Sequence, residues 1–97
     1  MDKVNLVQVK GPTSIYIDVE ITAEGDLLLS GQDIGQAPKE FFGDSDYEYW
    51  LLLKAEEKDR VLLALIEKLY AGNTRTVSEL REYLNARGIP NEFDSYS

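Results

Sequence analysis

The sequence predicts an α+β fold: a four-stranded antiparallel meander sheet followed by two helices packed on one face. Three observations carry that prediction. The hydrophobic period is two before about residue 55 and 3.6 after it. Residues 14–22, SIYIDVEIT, alternate apolar and polar without a break. Strands and helices are segregated along the chain, the mark of α+β rather than parallel α/β organisation. The 97 residues, 43% of them hydrophobic, suit one domain, with the sheet over 1–54, the helices over 55–89 and a C-terminal tail over 90–97.

Each element has its own signal. Residues 3–10 read as a first strand, joined through Gly11-Pro12-Thr13 to the second. In that second strand Ile15, Ile17, Val19 and Ile21 share one face, and Tyr16, Asp18, Glu20 and Thr22 the other. AEGD, residues 23–26, is a hairpin loop in which Gly25 supplies positive φ. A third strand follows at about 27–32. Residues 33–46 read as a long loop, marked by Gly35, Pro38 and Gly43. The fourth strand, 47–54, is rich on both faces: Tyr47, Tyr49, Leu51 and Leu53 on one, Trp50 and Leu52 on the other. Such a strand wants cover on both sides, from helices, from the Phe41-Phe42 segment, from the tail, or from another subunit in a homodimer.

The helical half opens with residues 56–71, where Leu62, Leu65, Ile66 and Leu69 form one stripe. Gly72-Asn73 ends that helix. In the second, Thr76 and Glu79 have the spacing of a capping box. Gly88 is placed for the left-handed position beyond the helix, with Ile89 beside Leu84 as in a Schellman motif. Pro90 prevents continuation.

Composition excludes much chemistry. With no cysteine there are no disulfides and no thiolate sites; with no histidine, the commonest neutral-pH base and zinc ligand is gone. No signal peptide and no membrane-length apolar run is present, so the cytoplasm is the expected compartment. A formal charge of −8 opposes nucleic-acid binding and suits a basic protein partner. The first 46 residues hold nine acids against three lysines and carry net −6.

Two groups of residues are candidate binding sites. In GDSDYEYW, residues 43–50, Asp44, Asp46 and Glu48 have the spacing of the first three ligands of a calcium loop. The glycine and glutamate that an EF-hand needs at its sixth and twelfth positions are Tyr49 and Ala55 here, so no metal or cofactor is expected. The second group is the polar row of strand two, where Tyr16, Asp18 and Glu20 put an aromatic ring beside two negative charges. SGQDIG, residues 30–35, lacks the pattern of a phosphate loop; Gly31 and Gly35 read as the exit from strand three, with Asp33 bonded locally. Arg81 and Arg87 are interspersed with Glu79 and Glu82 on a solvated helix face.

GQDIG (31–35) and GDSDYEYW (43–50), followed by the helix pair and GIPNEF, resemble a pattern in small uncharacterised bacterial proteins, over about residues 26–93. The resemblance implies a stand-alone domain and transfers no activity and no site residue. The expected role is a non-catalytic interaction or regulatory module, immunity-like in size and charge, that engages a basic protein. The alternative is a carboxylate-dependent cation binder or small hydrolase centred on residues 44–48.

Overall fold

The computed structural model describes residues 3–96. The elements in order are β1 (Lys3–Val9), β2 (Thr13–Ile21), β3 (Leu27–Gly35), α1 (Gln36–Phe42), β4 (Asp46–Leu53), a 3-10 turn (Ala55–Glu57), α2 (Lys58–Tyr70) and α3 (Thr76–Ala86). The strands form one antiparallel sheet in the order β1-β2-β3-β4, followed by the helices. The α+β meander read from the periodicity is therefore the fold. Two compact units make up the chain, the first ending at Val61 and the second beginning at Leu62. No helix among the described residues is long and apolar enough to cross a membrane.

In the first unit the register sorts side chains onto two faces. Val19 lies opposite Leu29 and Leu29 opposite Leu51; Ile17 lies opposite Gly31 and Gly31 opposite Tyr49. One face therefore carries Ile15, Ile17, Val19 and Ile21 with Leu27, Leu29, Leu51 and Leu53. Edge strand β1 joins this face by a bulge. Val4, Val7 and Val9 do not share a period of two, and the extra residue Leu6, between the pairs Asn5–Asp18 and Val7–Ile17, restores the phase. All three valines then lie opposite Val19, Ile17 and Ile15.

Residues 33–46 are not a loop. β3 continues to Gly35, and α1 occupies 36–42. Pro38 marks no loop: it sits in the first turn of α1, where a missing N–H costs nothing. The cap that starts α1 is distant in sequence: Ala37 N donates to Thr13 Oγ1 at 2.9 Å, and Gln36 N to the Pro12 carbonyl at 3.0 Å. Gly35 is required at that junction. It has φ 127°, and a Cβ there would lie 2.2 Å from the Pro12 oxygen. Gly43 closes α1 in the left-handed conformation, its N–H bonded to Lys39 O.

Gly31, by contrast, is no exit. It lies in the middle of β3, and the Tyr49 ring crosses it so closely that a Cβ would meet ring carbons at 2.0 Å. An aromatic side chain here fills the gap left by a strand glycine. Asp33 is not bonded locally either: it accepts the Tyr49 hydroxyl at 2.8 Å. Phe42 stacks on Tyr47, and Tyr47 leans on Tyr49, so three rings run from α1 onto the sheet.

In the second unit the end of α3 is as expected. Gly88 has φ 68°, Ile89 N donates to Leu84 O, and Gly88 N to Asn85 O, the two bonds of a Schellman motif. The start of α3 differs. Thr76 is the first helical residue, and its hydroxyl donates to the Asn73 carbonyl instead of capping a backbone N–H. Asn73 does the organising: its Oδ1 accepts Arg75 N at 2.8 Å and its Nδ2 donates to Glu79 Oε1 at 2.9 Å. Asn73 thus links the end of one helix to the start of the next, and the capping box expected of Thr76 and Glu79 does not form. Phe93 of the tail lies beneath the Arg81 guanidinium, 4.4 Å from ring centroid to carbon, beside Val77, Leu80 and Leu84.

Candidate functional site: the acidic face of the sheet

Side chains on a strand alternate between faces, so antiparallel partners share a face. Tyr16 pairs with Gln32 and Gln32 with Glu48; Asp18 pairs with Ser30 and Ser30 with Trp50; Glu20 pairs with Leu28 and Leu28 with Leu52. Ser14, Ile34 and Asp46 make the next row. The two candidate groups read separately from the sequence therefore stand on one surface. Tyr16, Asp18 and Glu20 come from β2; Asp46 and Glu48 come from β4, two strands away.

Asp44 is the exception. It precedes β4, and its Oδ1 accepts Asp46 N at 3.2 Å, the role of an aspartate in a turn. Asp46 also accepts a bond from Gln32 Nε2 at 3.0 Å. Asp44, Asp46 and Glu48 thus do not converge, and no group of three acidic side chains among the described residues is arranged to hold a metal ion.

The face is strongly one-signed. Asp18, Glu20, Asp46 and Glu48 stand on it, and Lys3, opposite Glu20 at the β1 edge, is the one base on it among the described residues. Lys3 reaches Asp18 at 3.9 Å, a long and solvent-exposed pair worth little. Asn5 Nδ2 donates to the other Asp18 oxygen at 2.9 Å, fixing that carboxylate on the surface. Among the described residues Glu20 and Glu48 have no salt-bridge partner.

Trp50 completes the surface. It is 62% exposed, and the small Ser30 separates it from Asp18. Two inter-strand steps put their backbones about 10 Å apart. An indole face open to solvent within that distance of a carboxylate suits a flat cation, which can stack on the ring and pair with the acid. The strand-four alternation already put Trp50 on the side of Glu48. Its place beside Asp18 depends on the β2–β3–β4 register, which no local signal states.

Two ionisable groups among the described residues of this unit have displaced pKa values, and neither lies on the acidic face. The backbone N–H of Ala55 donates to Asp26 Oδ1 at 2.7 Å and lowers that carboxyl below its ordinary value; Lys54, at 3.4 Å, adds to the effect, and desolvation opposes it. Asp26 thereby satisfies the start of the 3-10 turn that leads into α2. Tyr49 is displaced upward, chiefly by desolvation of the phenol and then by its bond to Asp33. In the sequence Asp26 is simply part of a hairpin loop; its partner is 29 residues away.

Comparison with protein-family models, with curated proteins and with solved structures gave no match.

Proposed function

We propose that the chain is a non-catalytic interaction or regulatory module that binds a basic protein segment on the acidic face of its sheet. The observation that carries this is the register. It unites four carboxylates with Tyr16 and the exposed Trp50 on one surface, next to Lys3 at the edge. Carboxylates of this kind attract and orient a cationic partner, and an open tryptophan supplies the anchor that gives such contacts energy. Arginine fits better than lysine, because its planar guanidinium stacks on the indole while keeping donors for Asp18 and Glu48. An immunity-like role, in which the acidic face blocks a basic partner, is one form of the same activity.

The test uses defined probes. An arginine-rich nonapeptide and its lysine counterpart are titrated into the protein at low and at physiological salt. The arginine peptide is expected to bind more tightly, with affinity falling as salt rises. Trp50→Ala should weaken it by about 30-fold, the equivalent of about 2 kcal/mol for a buried anchor. Reversing Asp18 and Glu20 to lysine should slow association. Equal weakening by Glu79→Lys with Glu82→Lys, on α3, would show that net charge acts without a localised face and would overturn the proposal.

A further inference from the structure

The opposite face of the same sheet has no part in that binding. It carries Val4, Val7 and Val9, then Ile15, Ile17, Val19 and Ile21, then Leu27 and Leu29 beside Leu51 and Leu53. Eleven aliphatic side chains from four strands form one continuous surface. Val4, Val9, Ile21 and Leu51 are exposed, and none of the eleven is buried. Contiguous apolar surface of this extent on a polar protein marks a contact site.

We infer that this face is the interface of a homodimer, in which two copies of the chain pack sheet on sheet. The occupant is argued from charge and from size. The chain carries −8, yet the ionisable groups that the strands place on this face are Asp33 and Tyr47, at one end, and Tyr49, opposite Gly31. Asp33 is engaged by the Tyr49 hydroxyl. Four carboxylates of the sheet point the other way. Two copies can therefore meet here without bringing their acids together, the first requirement of self-association for a chain of one sign.

Size agrees. Strands of seven to nine residues, spaced about 4.8 Å apart and rising about 3.3 Å per residue, give a footprint of about 500 Å². Side-chain relief makes the accessible area larger than the footprint, which brings it near the roughly 800 Å² per partner of a stable interface. Shape adds a detail. Beside Gly31 the surface dips into a hollow of about 230 Å³, walled by Ile17, Leu29, Tyr49 and Leu51. A twofold contact would offer each copy's hollow to an aliphatic side chain of the other, as an isologous interface requires. Aligned sheets pack in this way, about 10 Å apart, with their inner side chains interleaved.

Light scattering with size exclusion measures the outcome, together with urea unfolding at several protein concentrations. The expected mass is twice 11.0 kDa, and the unfolding midpoint should rise with concentration, as for any folded dimer. Val19→Glu, at the centre of the face, should give a monomer; if it does not fold, Val19→Ala should weaken dimerisation at least tenfold. Trp50→Ala, on the acidic face, should leave the dimer unchanged, which keeps this result separate from that of peptide binding. A wild-type monomer whose midpoint ignores concentration would overturn the inference, as cover by the chain's own residues or by a different protein would then be required. A dimer that survives a folded Val19→Glu, or that falls apart with Trp50→Ala, would overturn it too, because the contact would lie elsewhere.

Discussion

The two faces of this sheet share every backbone hydrogen bond, yet neighbours in sequence serve opposite ends. Gly31 and Tyr49 belong to the apolar face, and Ser30 and Trp50, one residue away, to the acidic one. On the apolar side the space directly above Gly31 is taken: the Tyr49 ring crosses it, and the Tyr49 hydroxyl is bonded to Asp33. On the acidic side Trp50 is open to solvent and Ser30 leaves room beside it. One face is arranged for close packing, where small changes of volume matter. The other, on the binding proposed above, meets a charged partner, and there stability should hardly notice a substitution.

Substitution of adjacent residues is the sharpest way to break that contrast. Gly31→Val drives a side chain into the Tyr49 ring, and overpacking of this kind costs about 1–3 kcal/mol. Ser30→Val, one position earlier, should stay within about 0.5 kcal/mol of wild type, as surface substitutions do. Urea unfolding of both variants measures the pair. Equal costs would mean that the two faces are packed alike.

A smaller effect is expected one strand over. Tyr49→Phe removes the bond to Asp33 and should cost about 1 kcal/mol, while Trp50→Phe should leave stability unchanged and weaken only peptide binding. The upward displacement of Tyr49 gives this pair a pH signature. Because its folded pKa lies above its unfolded value of about 10, its contribution is complete below that value and is lost as pH rises through the folded one. Ultraviolet titration of the phenolates should show a late step that is absent in Tyr49→Phe.

The smallest effect belongs to Asp26, at the start of β3, whose carboxylate serves neither face. Its folded pKa is lowered, so its contribution is present above the unfolded value of about 3.9 and disappears as pH falls through the folded one. Asp26→Asn should flatten the acid limb of the stability profile while leaving peptide binding at neutral pH intact. An unchanged acid limb would show that the bond to Ala55 N does not depend on the charge.

The sequence by itself determined whatever depends on period or on neighbours. The alternation of residues 14–22 sets which side chains of β2 share a face, because successive side chains on a strand must oppose. Gly88, Ile89 and Leu84 set the end of α3, since a Schellman motif closes within a few residues. Strand four's parity already put Trp50 with Glu48. The tertiary structure alone decided everything that required distant groups to meet. α1 was illegible because its cap, Thr13, lies 24 residues before the N–H it satisfies. The capping role of Asp26 spans 29 residues and leaves no local pattern. Thr76 had the right spacing for a cap, but its hydroxyl donates to the Asn73 carbonyl, and Glu79 takes the Asn73 side-chain amide as its partner, contacts that the Thr–Glu spacing does not encode. The site itself needed both levels. Parity chose the face for each acid on its own strand, and only the register across β3 brought Asp18 and Glu20 onto one surface with Glu48 and Trp50, because hydrogen bonds between strands carry information that no single strand contains.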